Sequence, residues 1–387
     1  MILEGSRGPT ARADRVFSRI TKTMGFDSFL GNAKQVQAVR DMLAQKRVPG
    51  SMLFTGPEGV GKKTLATMLA KALNCERPGS EGNDFCGECS HCRKADEFLA
   101  ASAADMAGRR EIKDAHRRVD GLVYFDLQLI EPLTRYILIE QIRQLRATAY
   151  SQPFNLPQRV FIVDQAHTIH WQAADLLLKV LEEPPATTTL ILVCPRPFEL
   201  RPTIRSRCFT FQFSPVEDAV IERILTEERG FPKPQLALAM RVIDGSVARA
   251  KTLDLAEYVR RRKPWLDFLE VVARPPSRPP GPGEWKVLFD TTKSLTEDTG
   301  NVEETLQIGS ILFRDLLQGL LEEKSFAITN VDLAPRLQAW ARVLGLKGIE
   351  RLEDGIERIY REQVRNLNQR LSLDSLASRL LHPVSGR

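Results

Sequence analysis

Residues 54–64 read FTGPEGVGKKT, which supplies most of a phosphate-binding loop. The spacing G-x-x-x-x-G-K-[ST] is met by Gly56, Gly61 and Lys62, with Gly59 inside the turn. Glycines let the backbone curl so that its N–H groups point at phosphate oxygens, and the lysine neutralises the outer phosphates. The next position should carry a hydroxyl that holds Mg²⁺. Here it is Lys63, and Thr64 comes one residue late. On a helix that places the hydroxyl about 100° away. The cradle for ATP or ADP is therefore complete, and Mg²⁺ is not expected to be held well.

A second half of such a site needs an acid at the end of a buried strand. RVFIVDQAHTI supplies Asp164, followed by Gln165 where a glutamate would orient the attacking water. Glutamine cannot take up a proton as a carboxylate does, although it positions water in some GTPases. Arg205 and Arg207 lie in TIRSRC, after a proline-bounded turn. Such a pair is either a solvated basic edge or a source of guanidinium charge for a phosphate on a neighbouring subunit.

Four of the six cysteines crowd together as Cys75, Cys86, Cys89 and Cys92, in the pattern C-x10-C-x2-C-x2-C. The alternative of four free thiols on a loop leaves that spacing unexplained. Two-residue gaps place thiolates on a tight knuckle, and four thiolates close a tetrahedral Zn²⁺ site with no open position, so the metal would be structural. His91 is a substitute ligand that such a set does not need.

The elements around these residues alternate. SMLF is a short apolar run, and Leu65, Met68, Leu69 and Ala72 follow at helical spacing, which is the strand–loop–helix context a phosphate loop requires. YFDLQLIEP, RVFIVD and TTTLILVCP read as further strands, with helices over LIEQIRQLRATAY and AADLLLKVLEEPP. This alternation predicts an α/β domain with a parallel sheet. KADEFLAASAADMAGRREIKDAHRRVD reads as an exposed helix or an insertion of little chemical content. After Phe213 the pattern is helical, interrupted by the proline-rich ARPPSRPPGPGEW, which is expected to be a loop, and ending in the helix RNLNQRLSLDSLASRLL.

Composition sets the bounds. The chain has 387 residues, 43% of them hydrophobic, enough for two or three domains. No apolar run reaches the roughly 18 residues of a membrane span, and no secretory signal opens the chain, so a cytoplasmic protein without membrane contact is expected. Residues 1–23 are basic and unpatterned and read as a disordered tail, with Met24 an alternative start. The net charge of +6 permits nucleic-acid contact, but aromatic residues make up only 7% and do not interleave with basic ones.

The conjunction of a cysteine knuckle just after the P-loop helix with LEEPP, SRC and GSVARAKTL resembles the clamp-loader family of bacterial DNA polymerase III, and most closely its delta-prime branch. The resemblance runs from about Phe29 to Leu381. It implies an AAA+ P-loop module over 24–213 with the zinc knuckle inserted at 75–92, a small helical lid over 214–253 and an all-α collar over 254–387. It further implies a ring of delta and gamma/tau subunits that opens a sliding clamp and places it on primed DNA. Ser206-Arg207-Cys208 matches the family's SRC motif, which makes Arg207 an arginine finger acting in trans on ATP held by a neighbour. Arg249 lies near the family's second sensor arginine, one place late, and Cys194 stands where motor subunits carry a sensor threonine. Together with Lys63 and Gln165 these departures imply a stator that does not turn over ATP. The alternatives are a gamma/tau-type motor and a zinc-containing nucleic-acid-binding protein with a decayed P-loop.

Overall fold

The computed structural model describes residues 25–79, 81–273, 281–297, 302–321, 328–363, 373–376 and 378. The expected tail over 1–23, the alternative start at Met24, the centre of the proline-rich stretch and most of the last helix lie outside them. The chain divides into two compact units, residues 1–224 with 245–252, and residues 225–244 with 253–387.

In the first unit a parallel sheet is built from β1 (Ser51–Thr55), β2 (Leu127–Ile130), β3 (Arg159–Val163), β4 (Thr188–Cys194) and β5 (Phe209–Gln212). The strands lie in the order β2-β3-β4-β1-β5. β1 through β4 are buried along their whole length, as parallel strands covered on both faces must be. Their continuous apolar runs still alternate. Met52, Phe54, Val160, Ile162, Ile191 and Val193 face one core, while Leu53, Phe161, Val163, Leu190 and Leu192 face the other. The first core is covered by α1 (Ala33–Ala44), α2 (Lys62–Asn74) and α3 (Ser90–Glu111), and the second by α4 (Ile139–Ala149) and α5 (Trp171–Glu182).

Two elements of this unit differ from the sequence expectation. β5 is an edge strand with one inward residue, Phe211, so it carries no apolar run to betray it. α3 is not an exposed helix of little content: Ala95, Leu99, Ser102 and Met106 are buried, and it packs against β2. The Ser102 hydroxyl donates to the Leu129 carbonyl and accepts from the Leu129 N–H, both at 2.8 Å. It thus satisfies backbone groups of the outer strand that no further strand pairs. Ala95 and Ser102 let the helix come close, and with small residues between Leu99 and Met106 the buried face does not read as a strong apolar stripe.

The short α6 (Pro202–Arg205) precedes β5, α7 (Asp218–Arg223) follows it, and α9 (Val247–Thr252) returns to this unit after α8 (Lys233–Ile243) of the second. The rest of the second unit is helical among the described residues: α10 (Leu255–Val272), α11 (Pro282–Glu297), α12 (Val302–Leu321) and α13 (Ala334–Gln363), the last kinked at Gly345. α11 begins inside the stretch expected to be a proline-rich loop, with Pro282 in the first turn, where a missing N–H costs no hydrogen bond. Trp265 is fully buried, packs edge-on against Phe313 at 5.4 Å and donates its indole N–H to the Thr305 carbonyl. No helix of the described residues is long and apolar enough to cross a membrane.

Candidate functional site

Parallel register brings the carboxyl ends of β1, β3 and β4 to one edge: Thr55 pairs with Cys194, and Val163 with Leu192. The phosphate loop leaves β1 there, Asp164 ends β3 and Cys194 ends β4, at the edge where α/β sheets bind their ligands. Gly56 has φ of 130°, and a Cβ there would meet the Phe213 carbonyl oxygen at 2.3 Å. A Cβ on Gly59, φ 76°, would meet the Ser246 hydroxyl at 2.0 Å. The loop is packed from outside as well, since the Ala248 N–H donates to the Gly59 carbonyl at 3.1 Å. Arg249, in the same segment, is exposed, and its backbone N–H donates to Ser246 Oγ.

Gly61 is the N-cap of α2, whose first two residues are Lys62 and Lys63, with no acid in the first turn. Two cations at the positive end of a helix dipole need compensation. Lys62 is buried, and its Nζ donates to the carbonyls of Gly56 and Pro57; burial lowers its pKa. Lys63 has turned onto carboxylates. Its Nζ donates to Glu131 Oε1 and lies 3.3 Å from Asp164 Oδ2. Although burial opposes it, Asp164 and Glu131 hold the Lys63 ammonium above its ordinary pKa. Glu131 is in turn held below the usual carboxylate range, against its own burial, by Lys63 and by Arg110, whose Nη2 donates to Oε2 at 2.6 Å. The other oxygen of Asp164 accepts from the Gln165 N–H at 2.9 Å. Gln165 itself is exposed, and Thr64 is half-buried in the first turn of α2.

Glu131, Arg110 and His167 belong to no motif in the sequence. Glu131 had a signal: it directly follows β2, as Asp164 follows β3, so both acids stand at strand ends. His167 lies three residues past Asp164, and both its ring nitrogens are buried without a hydrogen-bond partner.

The four cysteines come together. Cys75 ends α2 and Cys89 is the N-cap of α3, so the two helices anchor the knuckle between them. All four sulfurs lie within 4.8 Å of one another, with Cys75 Sγ 3.6 Å from that of Cys86 and 3.9 Å from that of Cys89. These separations are far beyond the roughly 2.05 Å of a disulfide. Backbone N–H groups point at the sulfurs: Cys86 to Cys75, Cys89 to Cys86 and Cys92 to Cys89, at 3.3–3.4 Å. Against the cost of burial, N–H donors that include Cys92 bring the Cys89 thiol down to about 6, whereas burial pushes Cys75 and Cys92 up. His91 is engaged elsewhere, with the Asn74 carbonyl and Glu76. Asn74 Oδ1 also accepts from the Gln158 N–H, which ties the knuckle to the sheet.

Arg207 follows α6. Its Nε donates to Glu182 Oε1 and its Nη1 to the Thr203 carbonyl at 2.9 Å, and its side chain is 33% exposed. Arg205 lies over the exposed ring of Phe198 at 5.8 Å.

Residues 31–217 match the family described as DNA polymerase III, delta subunit. Over 246 residues the chain is 29% identical to the tau subunit of DNA polymerase III of Salmonella typhimurium, a match that covers 62% of this chain and 34% of that protein. It is 27% identical over 240 residues to the tau subunit of Bacillus subtilis, covering 61% and 38%. The chain therefore spans about a third of the length of the curated relatives it matches. Among solved structures, a gamma subunit-related protein of Thermotoga maritima has 16% identity and a TM-score of 0.42, covering 90% of this chain and 98% of that one.

Proposed function

We propose that this chain is a member of the clamp-loader family of AAA+ proteins and serves there as a non-motor, delta-prime-type subunit of a DNA polymerase III loader. In this reading it joins delta and gamma/tau subunits in a hetero-oligomeric ring in the cytoplasm. It helps place a sliding clamp on primed DNA without hydrolysing ATP itself. The observation that carries the reading is the Lys63 ammonium on Glu131 and Asp164. A hydrolytic site needs a hydroxyl and a carboxylate turned toward a cation at that place, and here the carboxylates face an internal lysine. Gln165 adds the lack of a carboxylate to orient water.

Arg207 is the candidate finger on a neighbour's ATP. A guanidinium matches phosphate oxygens in a planar fork and stays charged at any working pH. Cys75, Cys86, Cys89 and Cys92 would hold one structural Zn²⁺. Zn–S bonds of about 2.3 Å in a tetrahedron put sulfurs about 3.8 Å apart; the Cys75–Cys86 and Cys75–Cys89 separations of 3.6 and 3.9 Å bracket that value, and all four sulfurs lie within 4.8 Å.

The matched relatives are tau subunits, which favours a second reading, a motor using Lys62 and Asp164 with Gln165 holding water. Phosphate release by the isolated chain with ATP and Mg²⁺ separates the two. The non-motor reading expects no release above background, and sustained turnover by the wild type overturns it.

A further inference from the structure

A P-loop of this family implies Mg²⁺, and the residues at the cation position do not fit it. Magnesium demands near-octahedral oxygen ligands. The position that should offer a hydroxyl offers an ammonium, and the four carboxylate oxygens nearby are engaged. Asp164 Oδ1 accepts from the Gln165 N–H and Oδ2 faces Lys63 at 3.3 Å. Glu131 Oε1 accepts from Lys63, and its Oε2 accepts from Arg110 at 2.6 Å. Two cationic side chains thus balance two anionic ones. A dication entering this group would meet Lys63 at close range and strip both acids of their partners.

The phosphate cradle is untouched by this substitution. The glycine conformations are in place, and α2 opens with two lysines and no acid. That end of a helix favours an anion, and the loop N–H groups add to it. Lys62 is turned onto its own loop carbonyls at Gly56 and Pro57, contacts that phosphate oxygens would replace.

We infer that this loop is a site for a nucleoside di- or triphosphate taken without a divalent cation, the Lys63 ammonium standing in for the metal. This rests on the non-hydrolysing reading above and extends it: Lys63 takes the metal's place and at the same time neutralises the two acids that would otherwise repel the phosphates. The occupant is then held as a structural ligand, indifferent to cellular Mg²⁺.

The test is titration of the full-length chain with a fluorescent ADP and a fluorescent ATP, in Mg²⁺ and in EDTA. The wild type should bind with affinities that agree within about twofold between the two buffers. Lys63→Thr, which restores the hydroxyl and frees Asp164 Oδ2 and Glu131 Oε1, should bind at least about tenfold more weakly in EDTA than in Mg²⁺. Lys63→Arg keeps the charge and should remain indifferent to the cation, which shows that an altered response in the threonine variant is not a folding defect. A wild type that loses about tenfold or more affinity on Mg²⁺ removal overturns the inference. So does a wild type that binds neither nucleotide in either buffer, and so does a Lys63→Thr chain that ignores the cation. Phosphate release measured on the same samples keeps the two ideas apart. Turnover by the wild type sinks the non-motor reading, whereas Mg²⁺-dependent binding without turnover sinks only this one.

Discussion

Arg207 and Glu131 are both charged residues in ion pairs, and their surroundings give the pairs different weight. The Arg207–Glu182 pair is 33% and 47% exposed, and such surface pairs contribute only about 0–1 kcal/mol. The guanidinium can leave Glu182 for a better anion at small cost. Arg207→Ala should therefore leave the chain folded and able to join its complex, while lowering ATP hydrolysis by the assembled loader. An arginine finger is worth about 10³–10⁵ in rate at a single site, and less is expected where other sites still fire. Arg205→Ala, which removes only the contact over Phe198, should do less. Complexes with Arg207→Ala that hydrolyse ATP at the wild-type rate would make this turn only a basic edge. Glu131 is 14% exposed and bonded to two cations. Losing those charged hydrogen bonds should cost up to about 1.5–3 kcal/mol each at neutral pH. Its pKa is depressed in the folded chain, so its contribution is complete above the unfolded value of about 4.3 and lost as the pH falls through the lower folded one. That of Lys63, with a raised pKa, is complete below about 10.4 and lost only in strong alkali. Urea unfolding of Glu131→Gln should thus show a deficit at pH 7 that closes in acid; a deficit that persists unchanged at pH 3 counts against the ion-pair account. The motif residues were legible because their spacing is local. The partner of Lys63 was not, since Glu131 is 68 residues away and only the parallel register brings it near.

Elements were legible where their pattern is strong and obscure where their burial is unusual. β1, β3 and β4 announce themselves as continuous apolar runs. β5 hides because only Phe211 points inward, and α3 because small residues separate Leu99 and Met106 on its buried face. The knuckle between α2 and α3 was legible from cysteine spacing alone, but its load on the fold was not. Lys71, buried on α2, pairs with Asp96 of α3 at 2.5 Å and lies over Phe85 of the knuckle loop. The cysteine cluster and this pair join the same two helices, and α3 in turn packs on β2. Binding energy at a four-thiolate site is folding energy. The purified chain should carry about one Zn²⁺ per molecule. Cys89→Ser, which removes a thiolate ligand but leaves a hydroxyl able to cap α3, should lose most of the metal and lower the unfolding midpoint. Metal analysis that finds no zinc in carefully purified wild type rejects the site, and a Cys89→Ser chain that keeps its metal and midpoint rejects the role of Cys89.

For the whole molecule the open choice is between an assembly subunit and a nucleic-acid-binding protein, and composition alone left it open. The net charge of +6 and a pI near 9.0 permit DNA contact. The structure shows how much of that basic charge is committed internally. Arg159 is buried on Asp126, Arg262 on Asp332, and Arg110 and Lys63 share Glu131. Arg40, Arg109, Arg201, Arg207, Arg261 and Arg336 each contact an acid as well. A guanidinium paired with a carboxylate presents little net field to a phosphate backbone, and affinity for DNA grows with the number of phosphates neutralised. The isolated chain should therefore bind primed DNA no more tightly than nonspecific proteins do, with Kd of about 10⁻⁴–10⁻⁶ M at physiological salt. Tight DNA binding should emerge only when delta and gamma/tau subunits are added. Fluorescence anisotropy on a primed template across a salt series, with the chain alone and then with those subunits added, measures both. Tight, steeply salt-dependent binding by the chain alone would instead favour the nucleic-acid-binding reading, because only a surface with many uncommitted cations releases enough counterions to give such a slope.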